Sequence, residues 1–357
     1  MWMSRPFLSG SVADVCFDLV ATASEYGDEQ GLADAVESRV RQLGIVPERI
    51  GNSLVARTGG PGSAIVLVGH LDTVPNWAGG VAERTDQRIV GRGASDMKGG
   101  VAVMLRLLER MVDAPQPVAF IFYDREEGPN SDNGIHRVLA DSTLLDPKPK
   151  LAVVLEPTAG TIHAGAVGSF NARVVFRGKS AHSARPWEGD NAISLALAEA
   201  LARFAQRAPV PVEVDGLLYH DVVTVTMLNA GIAHNVLPDR VELSVNVRIA
   251  PGRSVEAAQA EVVALSGPDA ELTWLDTALP AEPRLSDPIV SDFVARSGLA
   301  VLPKQAWTDV ATLQAWGVPA FNYGPGEPSQ AHQPGEWVEI AMLEECERVL
   351  AEELSAP

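Results

Sequence analysis

Hydrophobic positions along this chain follow two rhythms. In the first half, Ile65-Val-Leu-Val68, Val118-Ala-Phe-Ile-Phe122 and Leu151-Ala-Val-Val-Leu155 are apolar at every position, the mark of strands buried on both faces. Helical spacing separates them. Residues 11–20 and 31–43 read as helices, the second carrying Leu32, Val36, Val40 and Leu43 and stopping at Gly44. A further helix after Gly100 places Val101, Met104, Leu105 and Leu108 on one face. With a short strand over 54–56, the pattern predicts a mainly parallel sheet covered by helices, its functional groups at the carboxyl ends of the strands.

From Ser169 the rhythm changes. Phe170, Ala172, Val174 and Phe176 alternate with Asn171, Arg173 and Arg177, as in a strand with one solvated face. A helix over 191–204, strands over 222–228 and 241–249, a helix over 255–265 and a strand over 271–275 complete a βαββαβ order. Helical and apolar patterns of the first kind resume after Pro288, with residues 318–322 as another core strand and 340–354 as a closing helix. The expected organisation is therefore a discontinuous α/β catalytic domain (1–169 and 284–357). Into it is inserted an α+β ferredoxin-like domain (170–283).

Composition narrows the classes. The chain has 357 residues, 46% of them hydrophobic, and a formal charge of −18, which argues against nucleic acid or an anionic membrane as partner. No apolar run reaches the ~20 residues of a membrane helix. The N-terminal Met1-Trp-Met-Ser-Arg-Pro-Phe7 lacks a secretory apolar core, so a cytoplasmic location is expected. Cys16 and Cys346 sit in apolar helical patterns, as buried free thiols do.

Candidate chemistry clusters at the strand ends. His70 closes the first apolar run and Asp72 follows at i+2, on the same side of an extended backbone. A carboxylate there can accept from one imidazole nitrogen while the other binds a metal. Asp96 lies in a glycine-rich loop, Glu126 and Glu127 follow the second run, Glu156 follows the third, and His332 lies in the C-terminal return. So many acids on one sheet edge repel one another unless a cation compensates. With Asp96, Glu127 and Glu156 as ligands beside two neutral histidines, two divalent ions nearly balance the charge. Nitrogen and oxygen donors without cysteine suit Zn²⁺ best, with Co²⁺ or Mn²⁺ as substitutes. Asp96 is the natural bridge, Glu127 a ligand, and Glu126 the carboxylate that moves protons in amide hydrolysis. Two other readings fail on the residues. Gly91-Arg-Gly-Ala-Ser-Asp96 begins like a dinucleotide loop but puts an acid at the third glycine position, and no Gly-x-Ser-x-Gly elbow is present.

Gly69-His-Leu-Asp-Thr-Val-Pro75, Gly91-Arg-Gly-Ala-Ser-Asp-Met-Lys-Gly-Gly100, Glu126-Glu127, Glu156-Pro-Thr158 and Gly178-Lys-Ser-Ala-His182 stand in the order and at the intervals of the M20 family of dinuclear zinc amidohydrolases. The chain resembles that family over nearly its whole length. Residues 181–192, Trp307-Thr-Asp309 and 322–332 are most similar to its succinyl-diaminopimelate desuccinylases. The resemblance implies one ion on His70, Asp96 and Glu156, another on Asp96, Glu127 and His332, with Asp72 orienting His70 and Glu126 as base. It also implies a homodimer through the inserted domain, with His182 reaching the partner subunit's site to stabilise the oxyanion. Asn235, Arg248 and Thr308 would bind a small N-acyl amino acid substrate. One stretch departs: Gly165-Ala-Val-Gly-Ser-Phe-Asn171 is mostly apolar and has no arginine, where desuccinylases often carry polar or basic residues. Acetylornithine or another acyl amino acid is therefore an alternative substrate, and a catalytically silent metal-binding homologue is a third reading.

Overall fold

In the computed structural model, residues 5–76, 79–114 and 116–355 are described. Residues 1–4, on which part of the N-terminal reading rests, lie outside them. The chain divides into two compact units, Met1–Ala164 with Arg284–Leu302 and Thr308–Pro357, and Gly165–Pro283 with Pro303–Trp307.

The first unit is built on an eight-stranded sheet. Its strands, from one edge to the other, are Glu48–Ile50, Ser53–Thr58, Val118–Tyr123, Ile65–His70, Leu151–Val154, Ala320–Asn322, Ile162–Ala164 and Val301–Pro303. The four central strands, 118–123, 65–70, 151–154 and 320–322, run parallel. All four are buried at every position, which is why their sequences do not alternate. Helices Val12–Val20, Gly99–Arg110 and Ile340–Ser355 bury their apolar faces in the core of this unit. A small three-stranded sheet joins Glu83–Arg84, Arg88–Val90 and Trp337–Glu339. Cys16 and Cys346 are buried and free, as expected. Among the described residues no helix is long and apolar enough to cross a membrane.

The second unit carries a five-stranded antiparallel sheet ordered Val210–Val214, Leu217–Ala230, Arg240–Ile249, Gly168–Arg177, Ala270–Ala278. Helices Leu195–Gln206 and Val255–Ser266 pack with the apolar face of strand 168–177, where Phe170, Ala172, Val174 and Phe176 are buried. The four strands of the βαββαβ motif stand in ferredoxin-like order. The edge strand 210–214 extends the expected set; its Val-Pro-Val-Glu-Val alternates over too few residues to stand out as a strand. The helix expected from 191 starts at Leu195, because the Ser194 hydroxyl caps it by accepting from the Leu197 N–H at 3.4 Å. Pro303–Trp307 belongs to this unit through short-range polar contacts. Val167 N–H donates to Lys304 O, and the Gln305 side chain brackets the His220 main chain.

Candidate metal centre

Because 118–123, 65–70 and 151–154 are parallel neighbours, their carboxyl ends fall on one edge of the sheet, with His70 in register with Tyr123. The first unit thus brings together His70, Asp72, Asp96, Glu126, Glu127, Glu156 and His332. His70 is fully buried and Glu156 is 6% exposed. His70 Nε2 lies 3.3 Å from Asp96 Oδ1 and 3.8 Å from Glu156 Oε1. On the other side, His332 Nε2 lies 3.0 Å from Glu127 Oε2 and 3.6 Å from Asp96 Oδ2. The two oxygens of Asp96 therefore face two different histidines.

These spacings suit cations. Donors at ~2.0–2.1 Å on one tetrahedral ion stand about 3.3 Å apart. His70, Asp96 and Glu127 also offer ligand atoms within 4.8 Å of one another. The donor set is imidazole and carboxylate with no thiolate, which suits Zn²⁺, Co²⁺ or Mn²⁺.

Asp96 is held by local backbone geometry. Residues 94–98 form one wide turn ahead of helix 99–110, and Asp96 itself has an extended backbone (φ −119°, ψ 96°). Gly93 enters the turn at φ +81°, where a Cβ would meet Thr73 Cγ2 at 2.7 Å. Gly100 packs so closely on the end of strand 151–154 that a Cβ would sit 2.3 Å from the Leu155 carbonyl. The glycines thus serve the turn and the helix–strand approach.

The i, i+2 expectation for Asp72 needs a correction. His70 Nδ1 lies 2.9 Å from the Asp72 main-chain carbonyl, whereas the nearest Asp72 carboxylate oxygen is 3.5 Å away. That hydrogen bond holds the ring by Nδ1–H and leaves Nε2 for the donor cluster. The carboxylate accepts instead from the main-chain N–H groups of Glu126 (3.0 Å) and Glu127 (2.9 Å). Asp72 therefore fixes the loop that carries both glutamates, where Arg125 has φ +63°.

Electrostatics follow from this crowding. Desolvation is the largest influence on Glu126 and pushes its pKa well above the ordinary carboxylate range; His70 opposes, and Glu156 and Glu127 add to the rise. Burial disfavours a charged His70, yet the Asp72 and Asp96 carboxylates outweigh it and raise its pKa. For His332 the hydrogen bond to Glu127 is the main cause of a raised pKa.

Sequence reasoning missed the support behind His70. Tyr123 stands edge-on to the imidazole, with centroids 6.1 Å apart, and its hydroxyl donates to Asp309 Oδ2 at 2.7 Å. Asn133 donates to the same oxygen at 2.8 Å. Asp309 was visible only as part of Trp307-Thr-Asp309. Its neighbour Thr308 is buried, with a hydroxyl that has no hydrogen-bond partner.

The other substrate candidates lie in the second unit. His182 is exposed and bridges to Val236, while Ser183 N–H donates to Asn235 O at 2.9 Å, so His182 and Asn235 share one loop cluster. Arg248 lies on the sheet face opposite the helices, in register with Ser169. Its Nε donates to Asn246 Oδ1, and Asn246 donates to Asn171, which puts the polar residues of 165–171 on that face.

The cluster of imidazole and carboxylate donors at the sheet edge fits a metal-dependent hydrolase, and sequence comparison shows the family. The profile of Peptidase family M20/M25/M40 matches residues 66–355. The chain belongs to this family, whose members typically hold two metal ions, and is a hydrolase acting on amide bonds. It is 37% identical over 343 residues to a putative succinyl-diaminopimelate desuccinylase of Mycobacterium tuberculosis, covering 94% of this chain and 96% of that one. It is 33% identical over 356 residues to the succinyl-diaminopimelate desuccinylase of Corynebacterium glutamicum, covering 94% of each. Among solved structures, a Sulfolobus solfataricus M20 metallo-carboxypeptidase superposes with TM-score 0.77 at 15% identity, covering 97% of this chain and 99% of that one. A Staphylococcus aureus tripeptidase gives 0.75 at 20%, covering 96% and 97%.

Proposed function

We propose that this chain hydrolyses N-succinyl-LL-2,6-diaminopimelate to succinate and LL-2,6-diaminopimelate, as a cytoplasmic, homodimeric enzyme of lysine and diaminopimelate synthesis. The observation that carries the reaction class is the division of Asp96 between His70 and His332. The substrate rests on the two desuccinylase relatives that match over almost their whole length. In this reading His70, Asp96 and Glu156 hold one Zn²⁺ and Asp96, Glu127 and His332 the other. When bound, such ions polarise the scissile carbonyl and make water more acidic.

The residues of the chain do the rest. Glu126 takes a proton from the attacking water as the C–O bond forms, then gives it to the leaving nitrogen as the C–N bond breaks, yielding a carboxylate and an amine. Its place beside Glu127 and Glu156 at the sheet edge suits a carboxylate that both takes and returns a proton. Asp72 keeps Glu126 and Glu127 in place through their main-chain N–H groups. His182 of the partner subunit donates to the developing oxyanion. Arg248 grips a substrate carboxylate, and Asn235 and Thr308 supply hydrogen bonds. The inserted unit provides the dimer contact.

Steady-state kcat/KM for succinyl-diaminopimelate, N-acetylornithine and a C-terminal dipeptide, measured side by side with the zinc-loaded protein, tests the substrate. The expected result is a preference of at least about 100-fold for the succinyl compound, the scale that one well-placed charged contact gives. A preference for acetylornithine or the dipeptide overturns the assignment.

A further inference from the structure

We infer that Glu336 is a positioning residue for the metal centre: its carboxylate clamps the main chain of Asp96 and so sets how that side chain is shared between the two histidines. The inference rests on the metal-centre reading above. Glu336 is 1% exposed. Its Oε1 accepts from the main-chain N–H of Ser95 at 2.8 Å and of Asp96 itself at 2.9 Å. Its Oε2 accepts from Gly93 N–H at 2.8 Å and from Arg92 Nη1 at 3.2 Å. Three main-chain donors of one loop, with the Arg92 side chain, thus converge on one internal anion, much as backbone nests hold bound anions.

The same residue is tied to the loop through its own main chain. Gly91 N–H donates to Glu336 O at 2.8 Å, Ser95 Oγ donates to Trp337 O at 2.7 Å, and Trp337 pairs with Val90 across the small sheet. Glu336 follows His332 by four residues. One short segment therefore presents a histidine to one side of Asp96 and holds the backbone of Asp96 from behind. Because Asp96 approaches His70 with one oxygen and His332 with the other, a shift of its Cα disturbs both donor sets together.

Glu336→Gln keeps the shape but must turn an NH₂ toward either Gly93 N–H and Arg92, or Ser95 and Asp96 N–H. Glu336→Asp keeps the charge and withdraws it by one methylene. Zn²⁺ titration calorimetry on the metal-free full-length protein, with Co²⁺ visible absorption spectra, reads the effect without turnover. The expected result is a 10- to 100-fold loss of Zn²⁺ affinity in both variants, as for other residues behind metal ligands, and an altered Co²⁺ spectrum. Circular dichroism checks that each metal-free variant folds. Folded variants that bind two ions with wild-type affinity and spectrum overturn this inference and leave the metal centre standing. A wild-type protein that binds fewer than two ions overturns the metal centre and this inference with it. Failure of both metal-free variants to fold makes Glu336 a folding residue and also overturns it.

Discussion

Glu126 and Glu127 are adjacent in sequence yet face different tasks, because Asp72 pins both main-chain N–H groups and leaves the two side chains to diverge. Glu127 meets His332, and Glu126 is crowded by His70 and Glu156. Glu126→Gln should lower kcat by about 10²–10⁴-fold, the range for losing a general base, while calorimetry still counts two Zn²⁺ per chain. Unchanged turnover would remove Glu126 from the mechanism. At this scale the residue types were legible and their contacts less so. Strand-end acids and histidines announce a cation because their charges need one. Which atom of Asp72 meets His70 depends on a turn of the chain that no i, i+2 rule contains. Glu336 was invisible for a related reason: a carboxylate serving main-chain donors leaves no side-chain partner in the sequence. The buried thiols give a further check. Burial pushes Cys16 up to about 12, so dithionitrobenzoate should modify neither cysteine in the native protein and both after unfolding. Rapid native labelling would contradict their burial.

Elements carry the site through their ends. Helix 12–20 begins with a reciprocal cap in which Ser11 Oγ accepts from Asp14 N–H and the Asp14 carboxylate accepts from Ser11 N–H. Burial works against the Asp14 anion, but hydrogen bonds from Ser11 and Arg84 outweigh it and lower its pKa from 3.8 to about 2. A folded-state pKa below the unfolded value means stability that is present above 3.8 and lost as pH falls toward 2. Asp14→Asn should therefore cost about 1 kcal/mol at pH 7, with the gap to wild type narrowing in urea melts below pH 3.8 and closing near pH 2. A gap that widens on acidification would contradict this. Gly100→Ala tests the helix–strand approach. A methyl 2.3 Å from the Leu155 carbonyl must push helix 99–110 away, at about 1–3 kcal/mol, measurable by urea unfolding; an unchanged midpoint would show that the helix yields freely. The strands and helices themselves were readable wherever apolar periodicity was long. Strand 210–214 and the start of helix 195–206 were not, since short alternation and a single cap residue carry little signal.

At the scale of the molecule, the βαββαβ insertion was legible because the hydrophobic period switches from unbroken runs to alternation at residue 169. The excursion of Pro303–Trp307 into the second unit was not, because it depends on main-chain hydrogen bonds. In the proposed dimer, analytical ultracentrifugation should give twice the mass of one chain at micromolar concentration; a monomer there would separate His182 from the partner's site. If Asp96 serves two ions, zinc-edge anomalous diffraction from crystals of the zinc-loaded protein should show two peaks per chain. One should lie within about 2.1 Å of His70, Asp96 and Glu156 donors, the other equally close to Asp96, Glu127 and His332. A single peak, or a pair of which either lies out of reach of Asp96, would contradict that role.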